Sequence, residues 1–386
     1  MTRLLCAAGL LACMGSLRAA GNMLVLWDES TPFPEVDAFP LLDAVTHTVV
    51  YRGAAGRYQF LLGTALAFHE GNLFASWGNS RVHENDEGSV LAGRRSRDGG
   101  FTWSDFEVIA PLDGEMAHSH GVFLSHDGAL WAFAGRAAFR SELWAKVNGY
   151  PGLCTEAFVL DEATDRWESR GVVAGDGFWP TSEPRPLPDG NFIMGGLIPP
   201  ERMDDGSIGF AYGGVAVSHG GDLTQWDVVR IPIANGVRLW GETALIVESN
   251  DITAIVRYGA KAVALVSVSH DGGRTWPPLA ETNLPMAPVK PYAGMLSTGQ
   301  RYLVCNFGDR NTLAILVSRP GAREFCRVWR LRHGPSPAPR TVGNGKHPQW
   351  VYPYAVEHED RLYVGYAATK EDCVLSIIPL TALAVD

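Results

Sequence analysis

Acids, bases and phenols recur at one place in the repeating pattern of this chain. The openings of successive units carry His118 and His120, Glu183, Glu242, Tyr292 and Tyr352. Ionisable groups at equivalent points are hard to explain by packing alone, and they mark a candidate site. Two local groupings add to them. Ser80-Arg81-Val82-His83-Glu84-Asn85-Asp86 gathers two carboxylates, an arginine and a histidine in one loop, suited to hydroxyl-rich ligands at the mouth of a fold. His118-Ser119-His120 lies in a strand-like stretch whose alternation points both imidazoles to one side. Such a pair could bind a metal, shuttle a proton, hold a hydroxyl or only satisfy its neighbours. No third ligand accompanies it, so neither a metal nor a cofactor is expected.

Short strands must position these residues. Turns at His69-Glu70-Gly71-Asn72, His126-Asp127-Gly128, Pro188-Asp189-Gly190, Ser249-Asn250-Asp251, Thr298-Gly299-Gln300 and His358-Glu359-Asp360 recur about every 50 to 60 residues. Each is followed by an apolar, aromatic-rich stretch such as Leu73 to Trp77, Leu130 to Phe133 or Leu362 to Tyr366. Six turns predict six units. Four strands per unit around an axis is the propeller solution to exposed sheet edges. The segment Met23 to Trp27 is expected to close the ring by joining the last blade, or to add a seventh. Trp131, Trp167, Trp226 and Trp276 suit blade packing.

A second repeat punctuates the units. Ser96-Arg97-Asp98-Gly99-Gly100-Phe101-Thr102-Trp103 and Ser269-His270-Asp271-Gly272-Gly273-Arg274-Thr275-Trp276 share the pattern S-x-D-x-G-x-T-W. The Asp side chain can accept from nearby backbone N–H groups while Gly takes positive φ, so each is a tight turn before a packed Trp. Weaker relatives run from Ser218 to Trp226 and from Ser318 to Phe325.

Composition agrees with such a fold. Gly (43), Pro (24) and Trp (12) are plentiful and no long amphipathic helix stands out, which favours an all-β chain rich in turns. The formal net charge of −10 argues against nucleic acid as a partner, though not against an anionic ligand held by local arginines. The N-terminus reads as an export signal over residues 1–21: Arg3, the apolar run Leu4 to Met14, then Ala19-Ala20-Gly21. That run is too short to span a membrane. A secreted or periplasmic protein is expected, and Leu10-Leu11-Ala12-Cys13 leaves a lipid anchor at Cys13 open. Cys154, Cys305, Cys326 and Cys373 are expected to be free, mostly buried thiols. No second domain interrupts residues 22–386, although Arg136 to Cys154 and Pro199 to Gly209 have the length of insertions over one face.

The S-x-D-x-G-x-T-W elements are similar to the Asp-boxes of the sialidase (neuraminidase) superfamily, and the mature chain resembles bacterial BNR-repeat proteins of that group over roughly residues 40 to 382. The resemblance implies a six-bladed β-propeller. Asp-boxes speak for the scaffold and not for chemistry. The family's chemistry uses three arginines on the sugar carboxylate, a Tyr nucleophile assisted by a Glu, and an Asp acid/base. Carried onto this sequence, the Glu and second Arg match Glu242 and Arg257, the third Arg matches Arg310, the nucleophile Tyr352, and the acid/base Asp86. The first arginine's motif is replaced by Phe60-Leu61-Leu62-Gly63. Arg81, His118, His120, Glu183 and Tyr292 would add contacts to a glycan.

Three functions remain open at this point. One is a secreted exo-glycosidase releasing terminal acidic sugars. Another is a lyase on uronate-containing glycans, with His118 or His120 and a Tyr removing the proton beside a carboxylate that Arg257 helps neutralise. The last is a sugar-binding propeller without turnover.

Overall fold

The computed structural model describes residues 24–139, 150–175, 177–200, 211–234 and 236–385. The expected export signal, Cys13 and the central parts of both insertions lie outside these residues. Six antiparallel sheets succeed one another along the chain, and neighbouring sheets touch through their inner strands in sequence until the last meets the first. The result is a six-bladed β-propeller, as expected.

The first blade is Phe60–His69, Asn72–Ser80, Val90–Ser96 and Glu107–Ala110; the second is Ala117–His126, Ala129–Ala137, Cys154–Asp161 and Arg166–Ala174. In the third, Trp179–Pro180 and Arg185–Pro186 form a split inner strand on Phe192–Ile198, followed by Tyr212–His219 and Asp222–Arg230. The fourth comprises Leu239–Glu248, Asp251–Tyr258, Leu265–Ser269 and Ala280–Glu281. The fifth comprises Tyr292–Met295, Arg301–Asn306, Leu313–Ser318 and Phe325–Arg332. The sixth takes three strands from the C-terminal end, Trp350–His358, Arg361–Ala368 and Asp372–Pro379, and its outermost strand, Thr46–Arg52, from near the N-terminus.

Ring closure therefore falls to Thr46–Arg52 and not to the Met23 to Trp27 segment. Its sequence, Thr-His-Thr-Val-Val-Tyr-Arg, is rich in the β-branched residues that favour an edge pairing. Leu24 and Trp27 instead make parallel bridges to Thr282 and Phe325 on the rims of the fourth and fifth blades. Trp27 is held there by Phe33, which also packs on Phe39 and Phe307.

All six sequence turns join the first strand of a blade to its second. Each contains residues at positive φ, including Glu70 with Gly71 and Asp127 with Gly128, the geometry that matches a hairpin to the right-handed twist of its strands. The Asp-boxes are built as their residues dictate. Asp98 Oδ1 accepts from the backbone N–H groups of Phe101 (3.1 Å) and Thr102 (2.9 Å), and Oδ2 from the Thr102 hydroxyl (2.6 Å). The Thr102 hydroxyl and these amides hold the Asp98 carboxyl down at about 2. Asp271 repeats the pattern with Arg274 and Thr275.

Each box also welds its blade to the one before. A Cβ on Gly100 (φ +93°) would stand 2.5 Å from Leu375 of the sixth blade, and one on Gly273 (φ +85°) 2.3 Å from Ile193 of the third. Trp226 and Trp276 are buried, and Trp131 and Trp167 pack against the core from its edge. Cys154, Cys305, Cys326 and Cys373 are free thiols, all but Cys326 buried. Gly100→Ala and Gly273→Ala should each destabilise the protein by about 1–3 kcal/mol, since both backbone strain and a blade contact are affected. Denaturant unfolding checks this, and unchanged midpoints in both variants would refute the welding role.

Candidate functional site

The inner strands are not regular where the site residues emerge. Pairing between first and second strands slips between Leu62 and Ala65, His118 and Gly121, Leu239 and Thr243, and Val351 and Tyr354. A bulge re-aims the side chains around it, and here it occurs at the same level in four blades. Three of the bulges contain a residue at positive φ: Gly63, Gly241 and Tyr352. For a tyrosine, φ of +58° is an unusual conformation that the surrounding structure must enforce.

Two blades meet at Tyr352. Arg257, at the end of Asp251–Tyr258, donates from Nη1 to Glu242 Oε1 at 2.5 Å and from Nε to the Pro288 carbonyl at 2.9 Å. Burial works against the Arg257 charge, but Glu242 and Tyr352 beside it raise its pKa above the ordinary guanidinium value. Glu242 Oε2 is buried without a hydrogen-bond partner. The structure thus brings Glu242, Arg257 and Tyr352 together, each 5–6% exposed. A phenol beside a carboxylate with a free oxygen can pass its proton to it.

The two histidines of the second blade part company, because the bulge breaks the alternation that would align them. His118 turns into its own blade, with Nδ1 donating to the Pro111 carbonyl (2.7 Å) and Nε2 3.0 Å from Glu156. His120 turns toward the axis. Its ring centroid is 4.7 Å from that of Trp179 and 6.5 Å from that of Tyr352, and its Nε2 is buried without a partner. Gly63 makes room for it, since a Cβ there would stand 2.1 Å from the imidazole. The residue occupying the aberrant first-blade segment thus serves this histidine.

The 80–86 loop is also placed differently from expectation. Asp86 turns its carboxylate back onto the loop, accepting from the N–H groups of Val82 (2.8 Å), His83 (3.2 Å) and Gly88 (3.1 Å). Its neighbour Asn85 (φ +52°) is the buried residue; it donates to the Tyr150 hydroxyl at 2.9 Å and accepts from Ser119 at 2.6 Å. Glu84 reaches Lys370 Nζ at 2.6 Å, and Lys370 Nζ lies 5.7 Å from the Tyr352 ring centroid. Arg81 is exposed and lies over Tyr58. Arg310 donates to Gln349 Oε1 at 3.0 Å.

Glu183 and Tyr292 belong to a second polar cluster. Tyr292 donates its hydroxyl to Glu183 Oε2, Arg185 Nε donates to Oε1 (2.8 Å), and the Tyr354 ring lies tilted against that of Tyr292, their centroids 4.4 Å apart. Lys290 joins the clusters: its Nζ donates to the Pro353 carbonyl at 3.0 Å and lies 5.5 Å from the Tyr292 ring. Burial lowers it to about 8, against the pull of Glu242 and Glu183. The sequence pattern marked Glu84 and Asn85 only as members of the 80–86 loop and did not single out Lys290, Lys370 or Tyr150. Of those three, only Lys290 carried a local signal, standing at a unit opening.

Residues 182–364 match the family described as BNR repeat-like domain. A comparison with curated proteins found no match. Among solved structures, the chain is similar to a protein of unknown function from Dyadobacter fermentans, with a TM-score of 0.67 and 15% identity, covering 87% of this chain and 99% of that one. A Hadza microbial sialidase, Hz136, gives 0.63 and 15%, covering 86% and 69%. The leech intramolecular trans-sialidase, complexed with 2,7-anhydro-Neu5Ac, gives 0.64 and 11%, covering 88% and 71%. The chain is a six-bladed β-propeller with the fold of these sialidases, and the BNR repeat-like match covers its residues 182–364. No helix among the described residues is long and apolar enough to cross a membrane.

Burial, and then Lys290, push the His120 imidazole down to about 3 from an ordinary 6.5. The unfolded chain takes up a proton below about 6.5 that the folded protein refuses, so this residue makes stability rise with pH across that window and fall on acidification. His47, pushed down to about 4 by burial and Arg332, acts with the same sign. His120→Gln should therefore make the loss of melting temperature between about pH 6.5 and 4 shallower than in the wild type. An equally steep loss would contradict the buried neutral imidazole.

Proposed function

We propose that this chain is an exported exo-glycosidase of sialidase type that hydrolyses terminal acidic sugars from glycans. The observation that carries this reading is the convergence of Glu242, Arg257 and a conformationally constrained Tyr352 from two blades. The Tyr352 oxygen attacks the anomeric carbon and passes its proton to Glu242 while the glycosidic C–O bond breaks. The leaving oxygen takes a proton from a carboxylic acid. Asp86 spends its oxygens on its own loop, so we assign this step to Glu84, which adjoins Tyr352 through Lys370 and, on leaving that ammonium, takes up from solvent the proton it delivers. Water then attacks the anomeric carbon, gives its proton to Glu84, and the bond to Tyr352 breaks as Tyr352 recovers its proton from Glu242. Arg257 and Arg310 supply positive charge for the sugar carboxylate.

A second reading draws on His120. Its unpartnered Nε2 beside Tyr352 is placed to remove a proton next to a carboxylate, the step of a uronate lyase, while the burial that keeps it neutral weakens it as a base. The products separate the two: the lyase leaves an unsaturated uronate that absorbs in the ultraviolet, the hydrolase a reducing sugar without it.

Glu242→Gln and Tyr352→Phe should each lower turnover of sialylated or uronate-bearing glycans by about 100-fold or more, with melting temperatures near that of the wild type. Near-normal rates in both variants would overturn the glycosidase assignment. Loss of an ultraviolet-absorbing product in His120→Ala alone would transfer the assignment to the lyase.

A further inference from the structure

We propose that Lys370 is a carboxylate-binding residue of this site and that Glu84 occupies it, in the empty protein, as an internal stand-in for an acidic sugar. The proposal rests on the acidic-glycan reading above and deepens it.

Lys370 is in an expensive place. The turn joining Arg361–Ala368 to Asp372–Pro379 puts both Thr369 (φ +60°) and Lys370 (φ +56°) in the left-handed region, where hairpins ordinarily use Gly, Asn or Asp. The lysine side chain is only 6% exposed. A buried ammonium in a strained turn is a poor choice for stability alone, since taking both partners of an ion pair out of water tends to cancel their attraction.

Its surroundings connect it to the site on both sides. The Lys370 carbonyl accepts from the Leu61 N–H at 2.9 Å, which stitches the turn to the first-blade segment that lacks an arginine. Lys370 Nζ lies 5.5 Å from the Phe60 ring centroid, at the head of that same segment, and 5.7 Å from the ring of Tyr352. On the other side, the Thr369 N–H donates to the Gln349 carbonyl at 2.9 Å, and the Gln349 side chain receives Arg310. A lysine of the sixth blade thus brings positive charge to the place where the first blade offers only Phe60, Leu61 and Leu62.

Glu84 is the partner built to leave. Its side chain is 27% exposed where that of Lys370 is 6%, and it comes from a loop on which Arg81 and His83 face solvent. An incoming sugar carboxylate can replace one carboxylate on Lys370 by another, so the ammonium is never left bare and the desolvation cost of binding is low. The displaced Glu84 side chain then lies beside the new ligand, where a proton donor to the leaving group is needed.

Binding of N-acetylneuraminic acid and of glucuronic acid, each compared with its methyl ester by titration calorimetry, tests this directly. The wild type should prefer at least one acid over its ester by about tenfold or more. Lys370→Met should erase that preference, Lys370→Arg should keep it, and Glu84→Gln should tighten the acid several-fold while leaving the ester unchanged. Retention of the preference in a folded Lys370→Met, no tightening in Glu84→Gln, or no preference in the wild type would each overturn the proposal. If Lys370→Met does not fold, Lys370→Arg and Glu84→Gln decide it alone. An acid preference that follows Lys370 in a protein without turnover defeats the glycosidase reading only. Glu242-dependent turnover with a preference indifferent to Lys370 defeats this proposal only.

Discussion

The innermost strand of each blade must deliver polar side chains to a crowded axis without surrendering the ladder that holds the blade together. A strand that alternates strictly sends every second residue into the space between blades, where the first strands of neighbours pack tightly. The bulges at Leu62 to Ala65, His118 to Gly121, Leu239 to Thr243 and Val351 to Tyr354 reconcile the two demands. Below each bulge the apolar ladder resumes, with Ala65 and Leu66, Val122 and Phe123, Ala244 and Leu245, or Tyr354 and Ala355 buried. The bulged level is therefore where His120, Glu242 and Tyr352 are found, and the positive φ of Tyr352 is its local consequence.

Buried charge makes that level demanding. Arg257, Lys290, Glu242 and Lys370 all lie inside, and in a medium less polar than water each requires partners. Arg257 obtains Glu242 and a carbonyl, Lys290 a carbonyl, and Lys370 a carboxylate. The cluster of Glu183, Arg185, Tyr292 and Tyr302 answers the same need with a closed set: burial and Glu183 raise the Tyr292 hydroxyl well above its usual range, so it remains a donor to that carboxylate. The bonds from Tyr292 and Arg185 to Glu183 tie the third and fifth blades together, although the Tyr354 hydroxyl beside them has no partner. Around Tyr352, Glu242 Oε2 and His120 Nε2 are also buried without partners, and polar atoms left open in this way can meet a ligand.

Features set by neighbouring residues were legible in the sequence; features set by distant ones were not. The six hairpin turns and the Asp-boxes follow from Gly, Asp and Thr within a few positions of one another, and so did the blade count. Glu242 and Tyr352 were recoverable because each opens a unit. His118 and His120 were separated by a bulge, and the space that His120 fills is left by Gly63, on another blade. The burial of Asn85 between Tyr150 and Ser119 depends on its positive φ inside an irregular loop. Closure by Thr46–Arg52 depends on Asp372–Pro379 at the far end of the chain, and no local pattern distinguishes it from the aromatic segment around Trp27.

Lys370 belongs with these non-local features, and its chemistry differs from that of the arginine it would stand in for. A guanidinium offers two parallel donors in a fixed plane and selects the orientation of a carboxylate, whereas an ammonium is a compact charge with three rotatable donors. Arg257 has little freedom, being fastened to Glu242 and to the Pro288 carbonyl. A carboxylate shared by the two would be oriented at Arg257 and merely neutralised at Lys370. Such a pair tolerates a carboxylate turned through a wider range of angles than three converging guanidinium groups would. Within an acidic-glycan site, that tolerance favours recognition of the anionic charge over recognition of one ring's exact carboxylate geometry.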